Sequence, residues 1–143
     1  MAEDDQPNPV KPADVKPDVY LAACPSREVL SRIGDKWTSL VLGLLSGGPV
    51  RFGGLQRRVQ GISRKMLTQT LRNCQRDGLI SRHMTGEKMP VKVEYQLTDL
   101  GKTLIPIISQ AKAWAESNLK TIEATRAEFD RRNNVRIPID PIR

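Results

Sequence analysis

The apolar positions along the chain divide it into a start with almost nothing to bury, a run of short helices, two strands and one long helix. Pro25 can open a helix, because the first helical position needs no N–H donor. Val29, Leu30 and Ile33 then share one side before Gly34 ends it. Lys36 to Ser46 predicts a second helix carrying Trp37, Leu40, Val41, Leu44 and Leu45, stopped by Gly47-Gly48-Pro49. Phe52, Leu55 and Val59 follow the i, i+3, i+7 spacing of a helical face. They predict a short third helix over Phe52 to Val59, weakened by Gly53 and Gly54. Beyond the turn at Gly61, Ser63 is an N-cap for a fourth helix from Arg64 to about Arg76. Its apolar positions are Leu67, Leu71 and Cys74, and Gly78 closes it.

The period then changes. Leu79 to Met84 reads as a strand, and Thr85 to Pro90 is rich in turn residues. Val91, Val93, Tyr95 and Leu97 alternate with Lys92, Glu94 and Gln96, the period of a half-buried strand, so the two runs predict a hairpin. Thr98 caps a last helix that runs past Gln110, with a kink or break expected near Pro106. Ile108, Ala115, Ile122 and Phe129 stand seven apart, with Ala111 and Leu119 between them. That seam is longer than a small core needs. Met1 to Asp18 holds four prolines and five acids and predicts a disordered acidic arm. Residues 19–130 are the expected folded domain and 131–143 a second loose tail. The expected fold class is mainly α with a small β-hairpin. A helix, a glycine turn, a second helix and a hairpin make the winged helix-turn-helix plan.

At 143 residues the chain suffices for one core and not for two large domains. Its longest apolar run, Leu40 to Leu45, is too short to span a bilayer, and the acidic start lacks the pattern of a secretory signal. No membrane partner is expected. Two cysteines without such a signal predict a reducing, cytoplasmic setting. One histidine argues against a histidine-based metal cluster, and no metal or cofactor is expected. Six aromatic residues argue against a stacking platform for single strands.

Charge changes the picture more. From Arg51 to Lys92 there are ten basic residues and two acids, a balance of +8, while the rest of the chain stands at −1. The whole excess of +7 therefore lies in one central block. A basic segment in an otherwise balanced chain predicts a polyanion touched at one place, here double-stranded DNA. The major groove admits one α-helix, and the helix after the turn enters it. Opposite the stripe of Leu67, Leu71 and Cys74 stand Arg64, Lys65, Thr68, Gln69, Arg72 and Gln75. Arg64, Lys65, Thr68 and Gln69 are assigned to base edges, with Ser63 at the helix start. Arg72 and Arg76 are assigned to phosphates, which position without reading sequence. Arg57 and Arg58 lie on the helix that crosses the backbone, and Lys88 and Lys92 lie in the wing. Ile62, Met66, Leu67 and Leu71 are core candidates. His83 is expected to point at solvent. Trp37 and Trp114 are expected as core or interface anchors.

Several motifs occur in one order: Cys24-Pro25, Ile33-Gly34-Asp35-Lys36-Trp37, Arg51-Phe52-Gly53-Gly54-Leu55, Gly61-Ile62-Ser63-Arg64-Lys65-Met66-Leu67-Thr68, Asp77-Gly78-Leu79-Ile80, Pro90-Val91-Lys92-Val93-Glu94-Tyr95 and Leu97-Thr98-Asp99-Leu100-Gly101. Over about Cys24 to Trp114 the chain resembles the HxlR-type winged-helix transcriptional regulators. It departs at Asp35, where glycine is usual, and at Gly53-Gly54, where a polar pair is usual. The resemblance implies a homodimer joined through its first and last helices on a palindromic operator, with reading helices on the order of 34 Å apart. The apolar seam and the segment Val19 to Ala23 support that independently. Leu21, Ile108, Ala111, Ala115, Leu119 and Ile122 are the expected dimer residues.

Cys24 precedes Pro25, and helix N-terminal amides favour the reactive thiolate. Arg27 could add positive charge there, with Glu28 opposing. The resemblance implies that Cys24 senses oxidants, quinones or other electrophiles. Its plain alternative is a small buried residue beside the partner chain. Cys74 is expected in the core, unpaired with Cys24. A second functional reading keeps the DNA-binding dimer under a small apolar ligand at the interface, near Trp37, Trp114 and Pro106. A third is a protein–protein adaptor. A thiol enzyme lacks a base, because His83 sits in the wing, so no enzymatic activity is expected.

Overall fold

The computed structural model of the protein describes residues 16–133; the acidic arm through Val15 and the tail from residue 134 lie outside the described residues. The elements are α1 (Pro25–Gly34), α2 (Lys36–Leu45), β1 (Val50–Arg51), α3 (Phe52–Arg58), α4 (Arg64–Arg76), β2 (Ile80–Thr85), β3 (Lys92–Leu97) and α5 (Asp99–Asn133). This is a winged helix-turn-helix with a long C-terminal helix.

The predicted hairpin is part of a three-stranded antiparallel sheet in the order β1-β3-β2. The third strand, β1, was not expected. It is two residues long and pairs Val50 with Tyr95 and Arg51 with Glu94. The hairpin register runs from Ile80↔Leu97 to Thr85↔Lys92. Only the base of the hairpin meets the body. Leu97 is buried and Tyr95 packs against the core, whereas Met84, opposite Val93, is 61% exposed. The period-two pattern therefore marks the strand but not how far the core extends along it.

The core gathers Val41, Leu42 and Leu45 from α2, Leu55, Val59 and Ile62 around α3, Leu67, Leu71 and Cys74 from α4, and Leu79, Ile80, Leu97 and Ile108. On α2 the buried stripe is Thr38, Val41, Leu42 and Leu45, and Leu40 faces out. The expected stripe was thus turned by about one position. Thr38 explains the error, because a buried threonine is invisible to an apolar pattern. Its hydroxyl donates to Asp35 Oδ2 at 2.6 Å, and the same oxygen accepts the Thr38 N–H at 3.0 Å. Asp35 is thereby the N-cap of α2, a physical reason for the acid at this place.

α5 runs as one helix through Pro106, without the break expected there. Leu104, Ile105 and Ile108 hold the flanking turns against the core, so one missing N–H donor does not end the helix. It also continues through Arg131 to Asn133.

Two sequence motifs meet at the start of α5. Thr98 N–H donates to the Leu79 carbonyl at 3.1 Å, and its hydroxyl donates to the Gly78 carbonyl at 2.6 Å. The hydroxyl oxygen also accepts the Gly101 N–H at 3.0 Å. Gly78 turns the chain there with φ +74°. A Cβ on Gly101 would lie 2.0 Å from the Leu79 carbonyl oxygen. At Gly54 a Cβ would lie 2.9 Å from Val50 Cγ1. That glycine does not loosen α3 but lets it pack on β1.

Candidate nucleic-acid interface

Ser63 begins α4 as expected. Its Oγ accepts the Met66 N–H at 3.0 Å, and the apolar stripe Leu67, Leu71 and Cys74 is joined inside by Thr70. That burial fixes the rotation of the helix about its axis. Ser63, Arg64, Lys65, Thr68, Gln69, Arg72 and Arg76 are therefore all exposed. So is Met66, at 42%, which places it among the outward residues rather than in the core. The helix contains no acid.

Local contacts hold this face in shape. The Arg64 guanidinium lies over the Phe52 ring, 5.3 Å from its centroid, which ties the start of α4 to α3. The Thr68 hydroxyl donates to the Arg64 carbonyl at 2.8 Å. Gln69 Nε2 donates to Asn73 Oδ1 at 3.1 Å. Asn73 was missed because it lies half-buried at the edge of the exposed face, where neither the apolar nor the charged pattern marks it. With Gln69, Arg72, Gln75 and Arg76 it lines a shallow polar hollow on α4. Arg57 and Arg58 are exposed at the end of α3, and Lys88 and Lys92 are exposed in the wing. His83 is exposed too, with its Nε2 2.8 Å from Ser81 Oγ.

The far end of α4 is tied to α1. Arg32 Nε donates to Asp77 Oδ2 at 2.8 Å, and Arg32 also reaches Glu28 Oε1 at 3.2 Å. Arg76 lies 3.8 Å from the same Glu28 oxygen. The Arg32 and Asp77 side chains are only 17% and 22% exposed.

Cys24 is the N-cap of α1 and 8% exposed. Its sulfur lies 3.0 Å from Ser26 Oγ and accepts the Asp18 N–H at 3.4 Å. The Ser26 hydroxyl, then the Asp18 and Ser26 amides, hold the thiol below its ordinary value of 9.0, against burial and the Asp18 carboxylate. Arg27 does not supply the expected charge. Its guanidinium donates to the carbonyls of Val19 at 3.0 Å and Tyr20 at 2.7 Å. Cys74 is fully buried, and burial pushes its thiol up to about 11. Both cysteines are free.

Of the expected dimer residues, Leu21, Ala111, Ala115 and Leu119 are exposed and Ile122 is half-buried. Ile108, expected at a dimer contact, is instead 6% exposed and packed in the core, so it has almost no surface to offer a partner. The large exposed apolar side chains of α5 are Leu100, Ile107, Trp114, Leu119 and Phe129. Val29 and Leu30 of α1 are also about half exposed. Trp37 packs on the core, whereas Trp114 stands out at 63% exposure. A hollow of about 550 Å³ beside Pro106 is lined by Leu45, Leu97, Ile105 and Lys102, and neither tryptophan is part of its wall. Among the described residues no group of three or more His, Cys, Asp or Glu side chains could hold a metal ion. No helix among them is long and apolar enough to cross a membrane.

Comparison with known proteins places this geometry in a family. The profile of the HxlR-like helix-turn-helix family matches residues 32–123. The chain is 37% identical over 111 residues to the uncharacterised HTH-type transcriptional regulator YtfH of Escherichia coli (strain K12), covering 78% of this chain and 87% of that protein. The solved structure of YtfH from Salmonella typhimurium superposes with a TM-score of 0.72 at 36% identity, over 78% of this chain and 99% of that one. The redox regulator HypR in its oxidised form superposes with a TM-score of 0.61 at 40% identity, over 66% of this chain and 97% of that one.

Proposed function

The chain belongs to the HxlR-like helix-turn-helix family of transcriptional regulators, and from that premise we propose that it acts as a homodimer on a palindromic DNA operator in the cytoplasm. The observation that carries the reading is α4: an acid-free helix whose buried stripe turns Arg64, Lys65, Thr68, Gln69 and Arg72 outward together. Arg64, Lys65, Thr68 and Gln69 meet base edges, with Arg or Lys suited to guanine and Gln to adenine. Ser63, Arg72, Arg76, Arg57 and Arg58 meet phosphates near α4 and α3, and Lys88 and Lys92 meet them from the wing. The exposed apolar side chains of α1 and α5, with Leu21, Ala111, Ala115, Leu119 and Ile122, form the dimer contact. Burying them in a second copy removes apolar surface that a lone subunit leaves in water.

The signal is redox or electrophilic and enters at Cys24. Supporting this are the Ser26 hydroxyl and the Asp18 amide on its sulfur, both of which favour thiolate. The similar protein HypR is a redox regulator. An oxidant of the disulfide or peroxide class takes two electrons from two Cys24 thiolates, one from each subunit, to form one disulfide, and is itself reduced. An electrophile such as a quinone adds to the thiolate instead. Either event changes the spacing of the two reading helices. A second reading, a small apolar ligand, is favoured by the hollow of Leu45, Leu97, Ile105 and Pro106.

Selection of genomic DNA fragments by the purified protein, reduced and thiol-oxidised in parallel, tests both. A palindrome enriched in one redox state only, with Cys24→Ser no longer distinguishing the two states, supports the thiol. The same palindrome in both states moves the signal to a ligand. No enrichment overturns the regulator reading and favours a protein–protein adaptor.

A further inference from the structure

α1 carries the Cys24 thiol at one end, yet it has little apolar grip on the body. None of its residues is buried, and Val29 and Leu30 are half exposed. At its other end Arg32 is sequestered, and its guanidinium bonds a carboxylate that lies 45 residues further along the chain. That carboxylate belongs to Asp77, the C-cap of α4, whose N–H donates to the Asn73 carbonyl at 3.0 Å. Glu28, one turn before Arg32, bonds the same guanidinium and approaches Arg76, the last residue of α4. Two consecutive turns of α1 thus hold two consecutive residues at the end of α4 with alternating charge. A surface pair of this kind adds little. This one is mostly out of water and fixed by a directional hydrogen bond at 2.8 Å, so it resists displacement.

We propose that the Arg32–Asp77 pair, rimmed by Glu28 and Arg76, positions α4 relative to α1 and so sets the pose in which the reading helix meets DNA. Arg32 and Asp77 are positioning residues: neither is on the face assigned to the bases. α1 and α4 are each rigid over their lengths. A shift at the Cys24 end therefore moves Arg32 at the other, and Arg32 draws the C-terminal end of α4 with it. The 13-residue α4 is about 20 Å long, so a tilt about that end displaces Arg64 and Lys65 most. The inference rests on the proposed reading of α4 as the helix that contacts DNA.

The charges of the pair make the test sharp. Arg32→Met removes a cation and Asp77→Asn removes an anion. If they act on DNA only through charge, the first weakens binding and the second strengthens it. If the pair positions α4, both weaken binding to the selected operator, by on the order of fivefold to tenfold. Affinity for an unrelated duplex at the same salt then stays within about twofold, because loose phosphate contacts tolerate a changed pose. The double variant loses no more than the single ones, since the same link is already cut. Thermal melting of each full-length variant checks that it folds, and Arg32→Lys, which keeps the charge, replaces any that does not. Opposite shifts for the two single variants, or no shift in either, overturn the link while leaving the functional reading intact. A wild-type protein that selects no sequence overturns both.

Discussion

Gly101→Ala sets two effects of opposite sign against each other, and the structure decides between them. In an open helical position the change favours folding by about 0.5–1 kcal/mol, because alanine restricts the unfolded chain and glycine is a poor helix former. At Gly101 the new Cβ would lie 2.0 Å from the Leu79 carbonyl oxygen, 3.0 Å from the Leu79 carbonyl carbon and 3.2 Å from Leu97 Cδ2. The nearest obstacle is backbone, which cannot swing aside as a side chain can. To make room, α5 must lift from the α4–β2 turn. That lift pulls on the two hydrogen bonds that cross to the turn, Thr98 N–H to Leu79 and Thr98 hydroxyl to Gly78. At about 1 kcal/mol each, together with roughly 1–2 kcal/mol of overpacking against the backbone, they outweigh the propensity gain, for a net loss of roughly 2–3 kcal/mol. Thermal unfolding at fixed protein concentration, followed by circular dichroism at 222 nm, should show a midpoint lower by on the order of 8–15 °C. Gly43→Ala is the control. It is the same change inside α2, where a Cβ would meet nothing within 4 Å. Its midpoint should hold or rise slightly. If both variants melt at or above the wild-type midpoint, the close approach of α5 to Leu79 does not constrain the fold and the reasoning fails.

Asp35→Ala removes the N-cap of α2 and strands Thr38, so chemical denaturation should report a loss of about 1 kcal/mol or somewhat more. Ser26→Ala should move the pH profile of Cys24 alkylation toward higher pH. The Ser26 hydroxyl stabilises the thiolate, and without it the thiol needs a higher pH to ionise; a profile unchanged from wild type contradicts the assignment. Cys74 should stay unmodified in the folded protein at pH 8, where a thiol titrating at about 11 is protonated. Its folded value lies above its ordinary 9.0, so its contribution to stability is complete below pH 9 and declines as pH rises toward 11. Mass spectrometry of the alkylated protein separates the two cysteines. Gln69→Ala should relax preference at one base pair at a cost of roughly 1–3 kcal/mol, whereas Lys88→Ala should weaken all sequences alike and flatten the salt slope by about one unit. A change of preference in Lys88→Ala would reverse the sorting of base and phosphate contacts.

What the sequence determined by itself was local. Ser63 caps α4, Leu67, Leu71 and Cys74 give it a buried side, and the bounds Arg64–Arg76 follow from signals within a few residues of each other. The basic block needs no structure to be found, because composition alone locates it. The turns at Gly61 and Gly78 are likewise readable, since a positive φ is a property of one residue. The tertiary structure decided whatever depends on a neighbour far along the chain. β1 has no pattern of its own and exists because the β3 edge offers it hydrogen bonds. Ile108 belongs to an apolar seam by spacing, yet it packs into the core, leaving Ile107 and Trp114 outside. Pro106 reads as a helix breaker until the packing on either side of it holds the helix together. Gly54 reads as a weak point until Val50 stands against it. The Arg32–Asp77 pair leaves no mark on the sequence, because nothing within ten residues of either predicts the other. Periodicity and capping act over one or two helical turns, whereas close approach and charge pairing are settled only when distant segments pack.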